Sequence, residues 1–117
     1  MKQNTIGRYR KEALKNFTYP MTIYYTIFHG DKNFLDGIKS DEGYEYIFNS
    51  LKDREKFIIL LLYKEGLTLE KTGEIIGVCK ERVRSIDAKL IRKFRHPKNV
   101  RIIRNPQVLN EIRSDYK

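Results

Sequence analysis

Residues Leu69–Ile86 read LEKTGEIIGVCKERVRSI. This is the outline of two short helices joined by a turn. Gly77 falls where the chain must reverse, and Gly73 is the small residue that lets the two helices cross closely. Ile76, Val78, Val83 and Ile86 supply most of the apolar wedge between them. A helix-turn-helix of this kind lays its second helix in the major groove of duplex DNA.

The helix after the turn is expected over Lys80 to Arg95. Val83, Ile86, Leu90 and Phe94 recur at spacings of three, four and four and define one buried stripe. Lys80, Glu81, Arg84, Ser85, Ala88 and Arg92 fall mainly away from it, and His96-Pro97 ends the helix. Thr68 is placed to cap the preceding helix, with Glu70 at its positive end. Lys71 stands where a capping-box glutamate would, so that reciprocal bond is not expected.

Upstream, Tyr44, Ile47, Phe48 and Leu51 form a helical apolar face. A turn near Asn49 to Lys52 leads to a second helix, about Asp53 to Lys64. Its apolar positions Phe57, Ile58, Leu60, Leu61 and Leu62 make a broad face that touches the core on two sides. Gly66 is placed as a left-handed cap.

The first 40 residues are less legible. Residues 1–18 are a polar, basic lead in which Glu12 to Lys15 suit a short helix. Tyr19, Ile23, Tyr24, Tyr25, Ile27, Phe28 and Phe34 then crowd into one aromatic, β-branched stretch. Strand propensity is high through Thr22 to Phe28, but the alternation is imperfect and a helix over Met21 to His29 fits as well. Gly30-Asp31 and Asp36-Gly37 are turn signals. This segment either packs on the helical domain or offers its aromatics to a partner or a second copy. At the other end, Asn105, Pro106, Val108, Leu109 and Ile112 suit a short terminal helix.

The 117 residues carry 24 Lys+Arg against 15 Asp+Glu, a formal net charge of +9. The excess is one-sided: residues 1–49 hold seven basic and six acidic side chains, and residues 50–117 seventeen and nine. Such a field steers a protein to a polyanion without choosing among DNA, RNA and an acidic membrane. The lone Cys79 excludes an intrachain disulfide and a cysteine-based metal site, and fits a reducing cytoplasm. The run Phe57 to Tyr63 is too short to span a bilayer. His29 and His96 lack metal-ligand spacing, the carboxylates are scattered among basic neighbours on helix surfaces, and no glycine-rich phosphate loop occurs. An enzyme is therefore not expected, nor a cofactor or metal. Burial as a small hydrophobe is the expectation for Cys79.

A base-reading helix needs long polar side chains near its start. Arginine or lysine can bond the G O6/N7 edge, and glutamate accepts from cytosine N4. Lys80, Glu81 and Arg84 supply those reaches within about one turn, and the apolar stripe aims them. The remaining positive charges would hold phosphates and set register.

Residues 51–97, LKDREKFIILLLYKEGLTLEKTGEIIGVCKERVRSIDAKLIRKFRHP, resemble region 4 of the primary-type bacterial RNA polymerase sigma factors, of the sigma-70 family. GLTLE, the IGV turn, ERVRSIDAK and RKFRHP occur in order at the family's spacing. EGYEYIFNSL extends the resemblance upstream to about Asp41, and residues 1–40 lie outside it. The fold implied is an all-α, small helix-turn-helix domain at 41–104. An aromatic-rich extension at 1–40 would precede it, and a short C-terminal helix or tail at 105–117 would follow.

The resemblance implies sequence-specific binding to the −35 element of promoter DNA and docking on the β flap of the polymerase core. It places base reading at Lys80, Glu81, Arg84 and Ser85. Backbone contact falls to Thr68, Leu69, Arg82, Lys89, Arg92, Lys93 and Arg95. Polymerase docking falls to Tyr44, Ile47, Phe48, Leu51, Phe57, Ile58 and Leu61. Several positions depart from the family pattern. Cys79 replaces a threonine or serine cap, a loss of about 1 kcal/mol of local support. Thr72 replaces an aliphatic residue and Lys80 an arginine. Ser85 replaces a glutamine and is too short for its adenine contact. The parts that recognise and melt the −10 region have no room beside this domain, so the expectation is either a partial or co-sigma factor working with a separate −10-recognising protein or a stand-alone regulator built on the same domain. The alternative is a module that grips the β flap or a partner sigma factor with little specific DNA binding. No membrane partner is expected.

Overall fold

Pro20 and Gly30 bracket the aromatic stretch, and between them the chain is helical. The computed structural model describes the backbone of residues 2–30, 33, 34 and 36–114, and the side chains of residues 6–30, 33, 34 and 36–111. Asp31 and the side chain of Ile112 lie outside the described residues. In chain order the helices are α1 (Lys2–Asn16), α2 (Met21–Ile27), α3 (Glu42–Asn49), α4 (Asp53–Ile59), α5 (Leu69–Ile76), α6 (Lys80–Arg95), α7 (Pro97–Arg104) and α8 (Val108–Ser114). The fold is all-α, and no strand occurs among the described residues.

The helical option therefore holds for Thr22 to Phe28, and the reason is tertiary. An amphipathic strand would bury alternate residues. Here Thr22 through Ile27 are all buried, because α1 and α6 both pack against α2. Its polar atoms find partners in the same packing. Thr22 donates to the Tyr63 carbonyl at 2.6 Å, Tyr24 to Asp41 Oδ1 at 2.6 Å, and Tyr25 to Glu12 Oε1 at 2.5 Å. Burial, followed by the bond to Asp41, holds the Tyr24 phenol well above its usual pKa.

The expected helix over Asp53 to Lys64 changes pitch halfway. After α4 the segment Leu60–Lys64 is a π-helical turn, closed by Glu65 N–H donating to the Leu60 carbonyl at 2.9 Å. A π closure admits one extra residue, which turns the following side chains by about 100°. The consecutive Leu61, Leu62 and Tyr63 are all buried there. The backbone N–H of Lys52 finds the Glu55 carboxylate at 3.0 Å, which tethers the start of α4.

His96-Pro97 ends α6 as expected, and a new helix begins at once. Pro97 takes the first position of α7, and His96 Nδ1 accepts from the Lys98 N–H at 3.2 Å. α7 lies against α3 at Gly43, where an added Cβ would stand 2.1 Å from the Ile102 carbonyl oxygen. No side chain larger than hydrogen fits that crossing.

The core is continuous across residue 41. Ile6, Ala13, Ile23, Tyr24 and Ile27 from the N-terminal helices join Tyr44, Ile58, Tyr63, Val83, Leu90, Phe94 and Ile103 in one cluster. At its centre the Tyr44 ring stacks on Phe94 at 5.4 Å and meets Tyr24 edge-on at 5.5 Å. Edge-on and offset aromatic pairs of this kind each add about 0.5–1.5 kcal/mol beyond area burial.

Candidate nucleic-acid interface

Thr68 and Gly77 set the ends of α5. The Thr68 hydroxyl accepts from the Lys71 N–H at 3.0 Å, which satisfies one of the unpaired donors of the first turn. Gly77 is left-handed at φ +82°, and the N–H groups of Gly77 and Val78 both reach the Gly73 carbonyl, at 2.8 and 2.9 Å. A Cβ on Gly73 would stand 2.4 Å from the Val78 carbonyl oxygen. The close approach that requires glycine is thus helix against turn backbone.

Cys79 occupies the cap of α6 with no side-chain bond to the helix, and it is exposed. The expectation of burial is corrected: its neighbour Val78 turns inward, whereas the cap position faces solvent. Val83, Leu90 and Phe94 are fully buried along α6, with Ile86 partly so, and this fixes the outward face.

On that face Lys80, Glu81 and Ser85 are exposed and Arg84 is about one-third exposed, paired with the Glu81 carboxylate one turn away. The four residues do not share one depression. Arg84 and Leu69 line a cleft of about 280 Å³ together with Gly7, Arg8, Arg10, Lys11 and Asp87. Arg82, Ser85 and Lys89 line another, of about 240 Å³, against Lys52, Arg54 and Glu55 of the α4 start. Arg92 and Lys93 are exposed further along.

Arg95 departs from its expected place among the backbone contacts. Its Nε donates to the Ile27 carbonyl at 2.9 Å and its terminal nitrogen to the Thr26 carbonyl at 2.8 Å. These carbonyls lie at the end of α2, where a cation is well placed; that of Thr26 also accepts from the His29 N–H at 3.3 Å. Half-burial lowers the guanidinium pKa. The side chain is held against α2 rather than offered to solvent.

The docking set is also divided. Tyr44, Ile47, Leu51, Ile58 and Leu61 are buried in the core, and Phe48 packs against it. Those five present little surface to a partner, although Tyr44 and Ile58 line surface clefts. Phe57, 46 % exposed, is the member that faces solvent.

Asp87 was expected among surface carboxylates and is instead 3 % exposed. Its Oδ1 accepts from the Tyr63 hydroxyl at 2.7 Å, and its Oδ2 lies 3.5 Å from the Arg10 guanidinium, itself 5 % exposed. Burial pushes the Asp87 carboxyl up to about 6, against the opposing pull of the Tyr63 bond and the Arg10 and Arg95 charges. A sequence signal existed. Residues 83, 87, 90 and 94 also run at spacings of four, three and four, so Asp87 sits on the buried stripe. Its partners, 24 and 77 residues away in sequence, left no such trace.

No group of residues able to hold a metal occurs among the described residues. No helix there is long and apolar enough to cross a membrane.

Residues 47–96, which span the helix-turn-helix, match a family model described as "Sigma-70, region 4". The chain is similar to the RNA polymerase sigma factor SigA of Listeria monocytogenes and to that of Listeria innocua. Each is 42 % identical over 62 residues, covering 48 % of this chain and 16 % of the relative. The chain thus spans about one-sixth of the length of these relatives. No solved structure is significantly similar to it.

Proposed function

We propose that this protein is a sequence-specific DNA-binding transcription factor that works with bacterial RNA polymerase through its region 4-like domain, on a −35-type element. The observation that carries the reading is the first turn and a half of α6. Lys80, Glu81, Arg84 and Ser85 stand outward there while Val83 locks the helix from beneath. Base discrimination would come from Lys80, Glu81 and Arg84. Arg82, Lys89, Arg92 and Lys93 would contact phosphates, with Thr68 and Leu69 bracing the backbone. Polymerase docking would use Phe57 rather than the buried members of the expected set.

Selection of duplexes from a random library by the full chain, followed by binding measured against scrambled controls, tests this. An enriched motif with tighter binding than the scramble is expected. Retention of polymerase β subunit from the host after nuclease treatment, with no enriched motif, would instead establish the interaction module.

A further inference from the structure

The cleft beside Arg84 holds more positive charge than the protein itself offsets. Arg8 and Lys11 are three residues apart on α1 and so share a face, and both are exposed. Arg10 turns inward between them. With Arg84 these make four cations around one depression of about 280 Å³. Asp87 is its lining carboxylate, with both oxygens already engaged by Tyr63 and by Arg10, and the Glu81 carboxylate is paired with Arg84. Arg10 is itself incompletely satisfied: it is 5 % exposed, yet its Nε has no hydrogen-bond partner among the described residues. An unpaired donor on a buried guanidinium is costly unless an acceptor arrives. The rim of the cleft is open at Gly7, where an added Cβ would meet nothing within 4 Å, while Arg10 Nε lies below the surface, so a ligand meets Arg8 and Lys11 first.

We propose that α1 completes a phosphate-binding cleft beside α6, in which Arg8, Arg10 and Lys11 hold a phosphate next to the base-reading Arg84. A phosphate carries several acceptor oxygens, which suits converging guanidinium forks and an ammonium. The cleft's remaining wall is Leu69, at the start of α5. Leu69 and Arg84 are two of the positions at which the helix-turn-helix would approach a duplex, so a backbone phosphate flanking the read bases is the source the geometry favours. That assignment rests on the DNA-binding reading above. It also gives the N-terminal helix, outside the region 4 match, a part in nucleic-acid contact.

The test compares the full chain with its Arg8→Ala/Lys11→Ala variant, after circular dichroism and melting show both folded. Each is titrated with the selected duplex over a range of salt. In parallel, the Arg10 Nε–H resonance is followed while inorganic phosphate replaces chloride at constant ionic strength. The expected result is a similar loss of affinity on matched and scrambled duplexes, with the salt slope reduced by up to about 2. An unchanged slope with a phosphate-induced shift of the Arg10 resonance, lost in the variant, would retain the cleft and make its ligand a free phosphate. An unchanged slope and no such shift overturns the proposal and leaves DNA reading by α6 intact. Tighter duplex binding by the variant also overturns it, because α1 would then oppose the duplex. If the wild type binds no duplex, the DNA-binding reading fails, and the phosphate titration alone decides the cleft.

Discussion

The Tyr63 hydroxyl donates to Asp87 Oδ1 at 2.7 Å, tying the π-helical turn to the middle of α6. Arg10 reaches the other carboxylate oxygen from α1, so one buried acid joins three separate elements. A buried pair of this kind fixes geometry more dependably than it adds stability, while loss of one partner strands the others.

Asp87 should therefore make stability depend on pH. Its carboxyl is raised from 3.8 to about 6 on folding, chiefly by burial, so between those values the folded state binds the extra proton. Asp87 then contributes stability that is fully present below the lower value and is lost as pH rises through the upper one, with no further change above it. Urea unfolding across this interval should show wild-type stability falling relative to Asp87→Asn as pH rises. Parallel profiles for the two proteins would show that Asp87 ionises as freely folded as unfolded.

Thr72 is fully buried and its hydroxyl has no partner among the described residues. Thr72→Val removes that unsatisfied group at nearly constant volume. We expect stabilisation of about 1–2 kcal/mol, read as a higher urea midpoint with an unchanged slope. A lower midpoint would mean that the hydroxyl is satisfied in solution.

Arg84→Ala should weaken binding to a matched duplex more than to a scrambled one. A good bidentate contact is worth about 1–3 kcal/mol of discrimination. The change also releases Glu81 from its ion pair. Equal weakening on both duplexes would reduce Arg84 to a phosphate contact.

Basic residues along α6 should separate by what holds them. Arg92→Ala/Lys93→Ala removes two exposed cations, so the slope of log K against log salt should fall by up to about 2, similarly on all sequences. Arg95→Ala should leave the slope nearly unchanged and lower stability by roughly 1 kcal/mol, discounted for partial exposure, because the Ile27 carbonyl loses the guanidinium donor and the Thr26 carbonyl keeps only the His29 N–H. A slope change for Arg95→Ala of the same size would show that the side chain leaves α2 to meet DNA.

Local rules sufficed for the helix-turn-helix. Gly77 admits the left-handed turn, Thr68 accepts at the helix start, and the stripe of Val83, Leu90 and Phe94 has the period of a helix, so α5 and α6 follow from residues close in sequence. The outward positions of Lys80, Glu81 and Ser85 follow from the same stripe. Contacts between distant segments had no such signature. The helical form of Thr22–Ile27 depends on two helices that cover it, and the π turn on the burial of three consecutive side chains. Arg95 is drawn to carbonyls 68 and 69 residues earlier in the chain. Asp87 has the period of a core residue and the chemistry of a surface one, and only the arrival of Tyr63 and Arg10 lets it be buried. Periodicity and capping act over a few residues and can be read in order. The partners of a buried charge, and which cations face solvent beside α6, are set by packing that brings α1, the π turn and α6 together.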